Sequence, residues 1–250
     1  GGEEDEAYAA RAPRRRTNGA AYSSETRRES TQGMSRPRGR RASSRARSEP
    51  TQRGAYYPEP PAPESCSERL DQLGIAYAPV APDEAPGVRE PLLLRGPVAG
   101  VIFEPAGGSR KHAIVDCRLV LALHAWAAEL RRAGVWRVEH YSIYRPFARV
   151  GGNGKRSGHA SALAIDAARF TLDDCSVLDV LKDWEDRSRG DEPCRMRPDE
   201  KLGSRILRGI TCAAVDDGLF QVVITPHHDR AHDNHLHLEW RPNVDWTYVR

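Results

Sequence analysis

Five of the chain's nine histidines lie between His227 and His237, in the run Pro226-His227-His228-Asp229-Arg230-Ala231-His232-Asp233-Asn234-His235-Leu236-His237-Leu238-Glu239-Trp240. A second block, Ser157-Gly158-His159 leading into Leu163-Ala164-Ile165-Asp166, adds a histidine and a carboxylate. Imidazole nitrogens and carboxylate oxygens are zinc ligands, and a catalytic zinc takes three of them while leaving a fourth position open for water. His159, Asp166 and His237 supply such a set from two separated parts of the chain. A lone histidine is usually structural, and a histidine-rich loop binds metal adventitiously. It is the two blocks together that read as a split Zn2+ site.

Each ligand needs an element to position it. Side chains two apart on a strand share a face, so His235-Leu236-His237-Leu238-Glu239 puts two imidazoles and a carboxylate on one side and leucines on the other. The leucines then face a core and the histidines a cleft. His159 and Asp166 are seven apart, an odd offset that separates them on a continuous strand. His159 must therefore sit in the turn before the strand, and Gly151 to Gly158 has the glycines for such a turn. Asp166 falls mid-strand among small and apolar residues, where a carboxylate is costly unless a cation pairs with it.

These residues carry a resemblance. Ser157-x-His159-x6-Asp166 with His235-x-His237 is similar to the zinc peptidases that include lysostaphin-type endopeptidases, D-Ala-D-Ala carboxypeptidases and the penicillin-insensitive murein endopeptidase. Within that group the chain more closely resembles the extensin-like C-terminal domain, from about Cys66 to Trp240. The shared features run through Cys117-Arg118-Leu119 to Trp126, Tyr144-Arg145, the Ser-x-His block with Ala164-Ile165-Asp166 and Phe170, Asp183-Trp184 and the histidine cluster. The resemblance implies that His159, Asp166 and His237 bind zinc, that His235 is the catalytic histidine, and that His232 is an additional active-site histidine. It places Arg145 near the reacting carbonyl. The carboxypeptidases carry Glu-x-Trp-His where this chain has Asn234-His235-Leu236-His237, so a histidine base is favoured over a glutamate.

Zinc would lower the pKa of its water toward neutrality. His235 would accept a proton or stabilise charge, and Arg145 would face the oxyanion or else form a plain ion pair. His112, His124 and His140 are scattered and read as packing or surface residues. His227 and His228 rim the cleft or belong to a solvated loop. Glu239 orients a ligand histidine or pairs with an arginine.

The supporting elements read as α+β, an antiparallel sheet with helices packed on one face. Asp116 to Ala133 repeats apolar residues at helical spacing and closes at Gly134, and Asp199 to Asp216 is a second helix. Strands are predicted over Val135 to Tyr144, Ala162 to Phe170, Val177 to Trp184, Phe220 to Thr225 and His235 to Trp240, with an edge strand in Gly96 to Phe103. No internal repeat is present.

The domain so defined spans residues 66–250. Residues 1–65 contain no Leu, Ile, Val, Phe or Trp and thirteen arginines, which predicts a disordered, basic, Arg/Ser/Pro-rich tail. Such a tail is a soluble linker or contacts polyanions. No folded nucleic-acid reader accompanies it, so specific nucleic-acid binding is not expected. The net charge is only +3.

Five cysteines without a CxxC pair argue against a thiolate zinc site. Cys194 with Cys212 fits a disulfide in an oxidising compartment. Cys66 with Cys117 would be a second, tying the domain's start to its first helix, with Cys175 single. Free cytosolic thiols are the alternative. The extensin-like pattern has cysteines this chain lacks, one of them where Tyr144 stands, so analogy does not fix the pairing. No signal peptide or membrane span is visible, and a chain beginning at Gly decides nothing about export.

The sequence thus leads to the expectation of a zinc-dependent peptidase cleaving an amide bond in peptidoglycan peptides, periplasmic or exported. Its rival is a non-catalytic cell-envelope or wall-polymer binding module on the same fold.

Overall fold

The apolar repeat from Leu119 to Leu130 forms a helix, α2 (Cys117–Arg132), in the computed structural model, which describes residues 65–151, 154–185 and 192–250. The predicted disordered tail lies outside the described residues. Asp116 caps α2: its buried carboxylate accepts from the Arg118 backbone N–H at 3.0 Å and from the Arg118 guanidinium at 2.8 and 2.9 Å. Gly134 ends the helix with a positive φ of 79°, a conformation glycine adopts without steric cost.

Trp126 is the packing centre. Its ring lies 6.3 Å from Phe103, 6.1 Å from Phe170 and 5.9 Å from Phe220, and its Nε1–H donates to the Ile210 carbonyl at 2.9 Å. Those partners come from the sheet strands β3 (Ile102–Pro105) and β6 (Ala164–Leu172), the approach to β8 (Val222–Ile224), and the second long helix α4 (Leu202–Asp216). One tryptophan thereby joins both helices to the sheet. Truncating a buried aromatic of this kind typically costs about 3–5 kcal/mol.

The main sheet runs β10-β8-β9-β6-β5-β3, with β5 at Val135–His140, β9 at Leu236–Glu239 and β10 at Tyr248–Val249; β7 (Val177–Asp179) also pairs with β6. Its centre is antiparallel, but both edges are parallel, β3 with β5 and β10 with β8. The chain between β3 and β5 passes through all of α2, the kind of long crossover that parallel neighbours require.

The register of β6 decides which residues face the cleft. Glu139 pairs with Arg169, yet His140 pairs with Ala167, so Ala168 is an extra residue in the ladder. Unbroken alternation would put Asp166 and Phe170 on one face. The bulge at Ala168 reverses the alternation, letting Phe170 reach Trp126 while Asp166 points to the opposite side.

Several boundaries differ from those predicted. Val177 to Trp184 is a strand only to Asp179 and then turns into the short helix α3 (Val180–Asp183), because the Asp179 carboxylate caps the Leu181 N–H at 3.0 Å and Asp183 accepts from the Asp179 N–H at 2.7 Å. The edge strand begins at Ile102 rather than Gly96, since Val98 and Val101 close a turn with positive φ at Ala99 and Gly100. Strand β5 stops at His140. Residues before Gly96, left unassigned from sequence, form helix α1 (Cys66–Gln72) and the strands β1 (Tyr77–Pro79) and β2 (Pro91–Leu94), which join β4 (Val115–Asp116), just ahead of α2, in a small sheet of order β1-β2-β4.

Two disulfides, Cys66–Cys117 and Cys194–Cys212, close loops of 51 and 18 residues, and Cys175 is unpaired and exposed. The first fastens α1 to the start of α2. Beside the second, Arg208 is fully buried, paired with Glu200 at 2.7 Å and stacked 4.3 Å from the Trp184 ring. Chain-entropy reasoning assigns about 4 kcal/mol to the longer loop and about 3 kcal/mol to the shorter. Replacing Cys66 and Cys117 together by alanine should lower unfolding stability more than replacing Cys194 and Cys212, as read by urea denaturation.

Candidate metal centre

His159 enters the site from a single 3-10 turn, Gly158–Ser161, capped by the Ser157 side chain, immediately ahead of β6. Its imidazole is fully buried. Nδ1–H donates to the Ile143 carbonyl at 2.9 Å, which fixes the tautomer and leaves the Nε2 lone pair directed inward. Asp166 is the third residue of β6 and stands directly opposite His237 on β9. The His159 Nε2, Asp166 Oδ1 and His237 Nδ1 atoms form a triangle with sides of 2.9, 3.0 and 3.1 Å.

This triangle fits a divalent cation. Bonds of about 2.0–2.2 Å to a tetrahedral ion hold ligand atoms roughly 3.3–3.6 Å apart, so an expansion of a few tenths of an ångström accommodates one. The outer nitrogens are also engaged as a ligand histidine requires: His159 through Ile143, and His237 through Nε2, 3.4 Å from Glu239 Oε2. Such partners orient ligand imidazoles and raise their basicity. The other described cluster of suitable residues, Cys66, Glu90 and Cys117, contains a disulfide and has no thiolate to offer.

Electrostatics reinforce the geometry. Burial alone would raise the Asp166 pKa, but His159 and His237 hold it well below the usual carboxylate range. Burial pushes His237 down, yet Asp166 and Glu239 outweigh it and raise its pKa to about 9. The metal-free centre therefore keeps a proton on His237 at neutral pH, bound between two carboxylates. His159 goes the other way, its pKa lowered by burial.

The remaining residues expected at the site surround this triangle. His235 lies just before β9, its Nε2 3.4 Å from Asp166 Oδ1 and its Nδ1 2.8 Å from Asn234 Oδ1. Burial lowers its pKa to about 4, so at neutral pH it is uncharged. With Nδ1–H donating to Asn234, Nε2 offers a lone pair toward the centre. Arg145, half-exposed, reaches Asp166 Oδ2 at 3.4 Å, and its backbone N–H donates to the His159 carbonyl at 3.1 Å. His232 stands one step out, its ring 5.2 Å from that of His235 and 6.1 Å from that of His237, and Nδ1–H donates to Asp229 at 2.6 Å.

The other histidines are not drawn in. His140 is buried, its pKa lowered to about 3 chiefly by that burial, and His228 lies 3.5 Å from Asp229. Glu239 satisfies both readings of it, facing His237 and pairing with Arg241 at 2.7 Å.

Four contributors were not singled out from sequence. Ser142 Oγ–H donates to Asp166 Oδ2 at 3.1 Å, Tyr141 stacks edge-on against His235, and Asp229 holds His232. Gly158 donates its N–H to Glu239 at 3.3 Å, and a Cβ there would lie 2.5 Å from Glu239 Cδ. Gly158 stands in the Ser157-Gly158-His159 block that the sequence marks, but the reason for a glycine there is not visible in sequence, because it depends on a residue 81 positions away.

The fold and this donor set define an α+β domain with a buried His2Asp cluster bordered by the further histidines His232 and His235. The model of the family described as Extensin-like protein C-terminus matches residues 64–250, and the chain belongs to that family. No curated protein and no solved structure matches it.

Two outcomes follow for metal uptake. A divalent cation must displace the His237 proton, so apparent affinity should rise about tenfold per pH unit up to about 9, with about one proton released near pH 7. Calorimetry in buffers of different ionisation enthalpy counts that proton. Glu239→Gln should weaken binding by about 10–100-fold through loss of the carboxylate that orients His237, measured by competition with a chromophoric chelator.

Proposed function

We propose that the domain is a zinc-dependent peptidase that hydrolyses an amide bond in peptidoglycan peptides. The observation that carries this reading is the convergence of His159 Nε2, Asp166 Oδ1 and His237 Nδ1, with an uncharged histidine beside them. The sequence resemblance to lysostaphin-type, D-Ala-D-Ala and murein endopeptidase sites supports the same assignment. Two imidazoles and one carboxylate suit zinc and leave its fourth position for water.

When bound, the ion would lower the pKa of a water at its open position and polarise the scissile carbonyl. The chain's own residues supply the rest. His235 Nε2, held by Asn234 through Nδ1–H, takes the proton from the attacking water and returns it to the leaving amine. Arg145, kept beside the centre by its backbone bond to His159, faces the developing oxyanion. The Asp229–His232 pair orients a second imidazole toward the same space.

Two disulfides fit an oxidising compartment, consistent with a periplasmic or exported protein acting on wall material. Among the described residues no helix is long and apolar enough to cross a membrane.

The test is digestion of purified muropeptides by zinc-loaded protein, followed by mass analysis of the products. The parent should release peptide fragments. His235→Gln should keep its zinc while losing about 10²–10⁴-fold in turnover. Zinc-replete parent protein that cleaves nothing would leave the envelope-binding module as the better account.

A further inference from the structure

Segments 145–151 and 154–159 pair through a bridge between Arg149 and Arg156, and they gather positive charge without a carboxylate of their own. From Tyr141 to Ile165 there is no Asp or Glu, yet Arg145, Arg149, Lys155 and Arg156 are all present. Arg149 and Arg156 are directly opposed in an antiparallel bridge, flanked by the Val150 N–H to Lys155 carbonyl bond at 2.7 Å and the Ser157 N–H to Ala148 carbonyl bond at 3.0 Å. Like charges directly opposite one another destabilise such a pair. Neither arginine meets a carboxylate among the described residues. Arg149 donates to the Gly154 carbonyl at 2.6 Å, and Arg156 donates to the carbonyls of Gly87 at 3.1 Å and Ala160 at 2.7 Å.

Phe147 adds a second unfavourable feature in the same segments. Its side chain is 83 % exposed and its φ is +64°, a left-handed conformation that is strained for a bulky residue. Phe147, Ala148, Arg149 and Arg156 line a cavity of about 280 Å³ with Pro86 and Gly87. The cavity adjoins the metal centre along the chain: Phe147 is two residues from Arg145, and Arg156 is fastened to the residue after His159. Gly87 has a φ of +90°, which favours glycine, and its missing Cβ leaves the space that the Arg156 guanidinium occupies. The Arg156 fork is thus held in place before any ligand arrives.

From these features, resting on the peptidase reading above, we infer that these paired segments are the substrate-recognition wall of the cleft and bind a free carboxylate of an acidic peptide. Arg149 and Arg156 provide the paired cations, whose planar forks match a carboxylate. Phe147 provides an apolar platform for the adjoining peptide. An anion between the two arginines removes their repulsion, and a ligand covering Phe147 buries the ring that the strained backbone holds outward. His235 and Arg145 both reach Asp166, so the centre lies at the Arg145 end of the wall, and a carboxylate held by Arg149 fixes which amide reaches it.

The experiment is fluorescence polarisation with the full chain and a fluorescein-labelled peptide, L-Ala-γ-D-Glu-L-Lys-D-Ala, beside the same peptide with its carboxylates amidated. The acidic peptide should bind at least tenfold more tightly than the amidated one. Arg149→Gln should abolish that preference, Arg149→Lys should restore part of it, and neither should change zinc content. Phe147→Gly should weaken binding of both peptides without lowering the melting temperature. Equal binding of the two peptides by the parent would overturn the inference, as would a preference untouched by Arg149→Gln. Displacement of the acidic peptide by inorganic phosphate at equal concentration would overturn it in favour of a phosphate site. The two claims separate in the parent: Arg149-dependent binding of a peptide that the zinc-loaded protein does not cleave leaves the wall standing and removes the peptidase.

Discussion

A carboxylate with almost no solvent contact, that of Asp166, sits near the middle of a sheet strand among small and apolar residues. An ionised group in such a place is tolerated only when cationic or hydrogen-bonding partners compensate its lost hydration. Three side chains compensate it, His237 on Oδ1, Ser142 on Oδ2 and Arg145 on Oδ2, while the His159 Nε2 lone pair meets Oδ1 as a second donor atom for a cation. Much of the local architecture serves that convergence. The bulge at Ala168 turns Asp166 away from the helices, the turn at Gly158–Ser161 swings His159 over it, and the β6–β9 register sets His237 opposite.

The two faces of the sheet divide the work. On one, Leu236 and Leu238 are fully buried, and Trp126 collects Phe103, Phe170 and Phe220 into a core that holds β6 and β9 in register. On the other, the polar residues of the same strands meet with little freedom to move. The ligand atoms come from or beside rigid strands, while the reactive groups around them, His232, His235 and Arg145, come from the adjoining loops. A preorganised centre of this kind needs little rearrangement to take up an ion, and its loops set what approaches it.

How much of this was legible in sequence depended on range. His159, Asp166 and His237 could be chosen because residue type and local spacing reveal them, and the alternation in Leu236-His237-Leu238 fixed a face before any partner was known. The Cys194–Cys212 and Cys66–Cys117 pairs were the ones expected from sequence, although five cysteines allow other pairings that only the fold decides. The bulge at Ala168 was not legible, because nothing in Ala167-Ala168 marks an extra residue until β5 lies beside it. The collision that forbids a side chain at Gly158, the support from Ser142 and the β1-β2-β4 sheet are likewise products of contacts between distant parts of the chain. Asp179 ended its strand early through a local capping bond that the apolar run to Trp184 concealed.

Membership of the extensin-like C-terminal family describes the chain's ancestry, while the argument for activity rests on the donor geometry and on the uncharged His235 beside it. The most direct measurement is elemental analysis of protein purified without chelator, for the parent and for His237→Ala. One zinc per chain in the parent, lost in the variant while the fold persists by circular dichroism, is the result this account predicts. A parent that holds no stoichiometric zinc even after reconstitution would contradict it and make the Asp166 cluster a purely structural hydrogen-bond network.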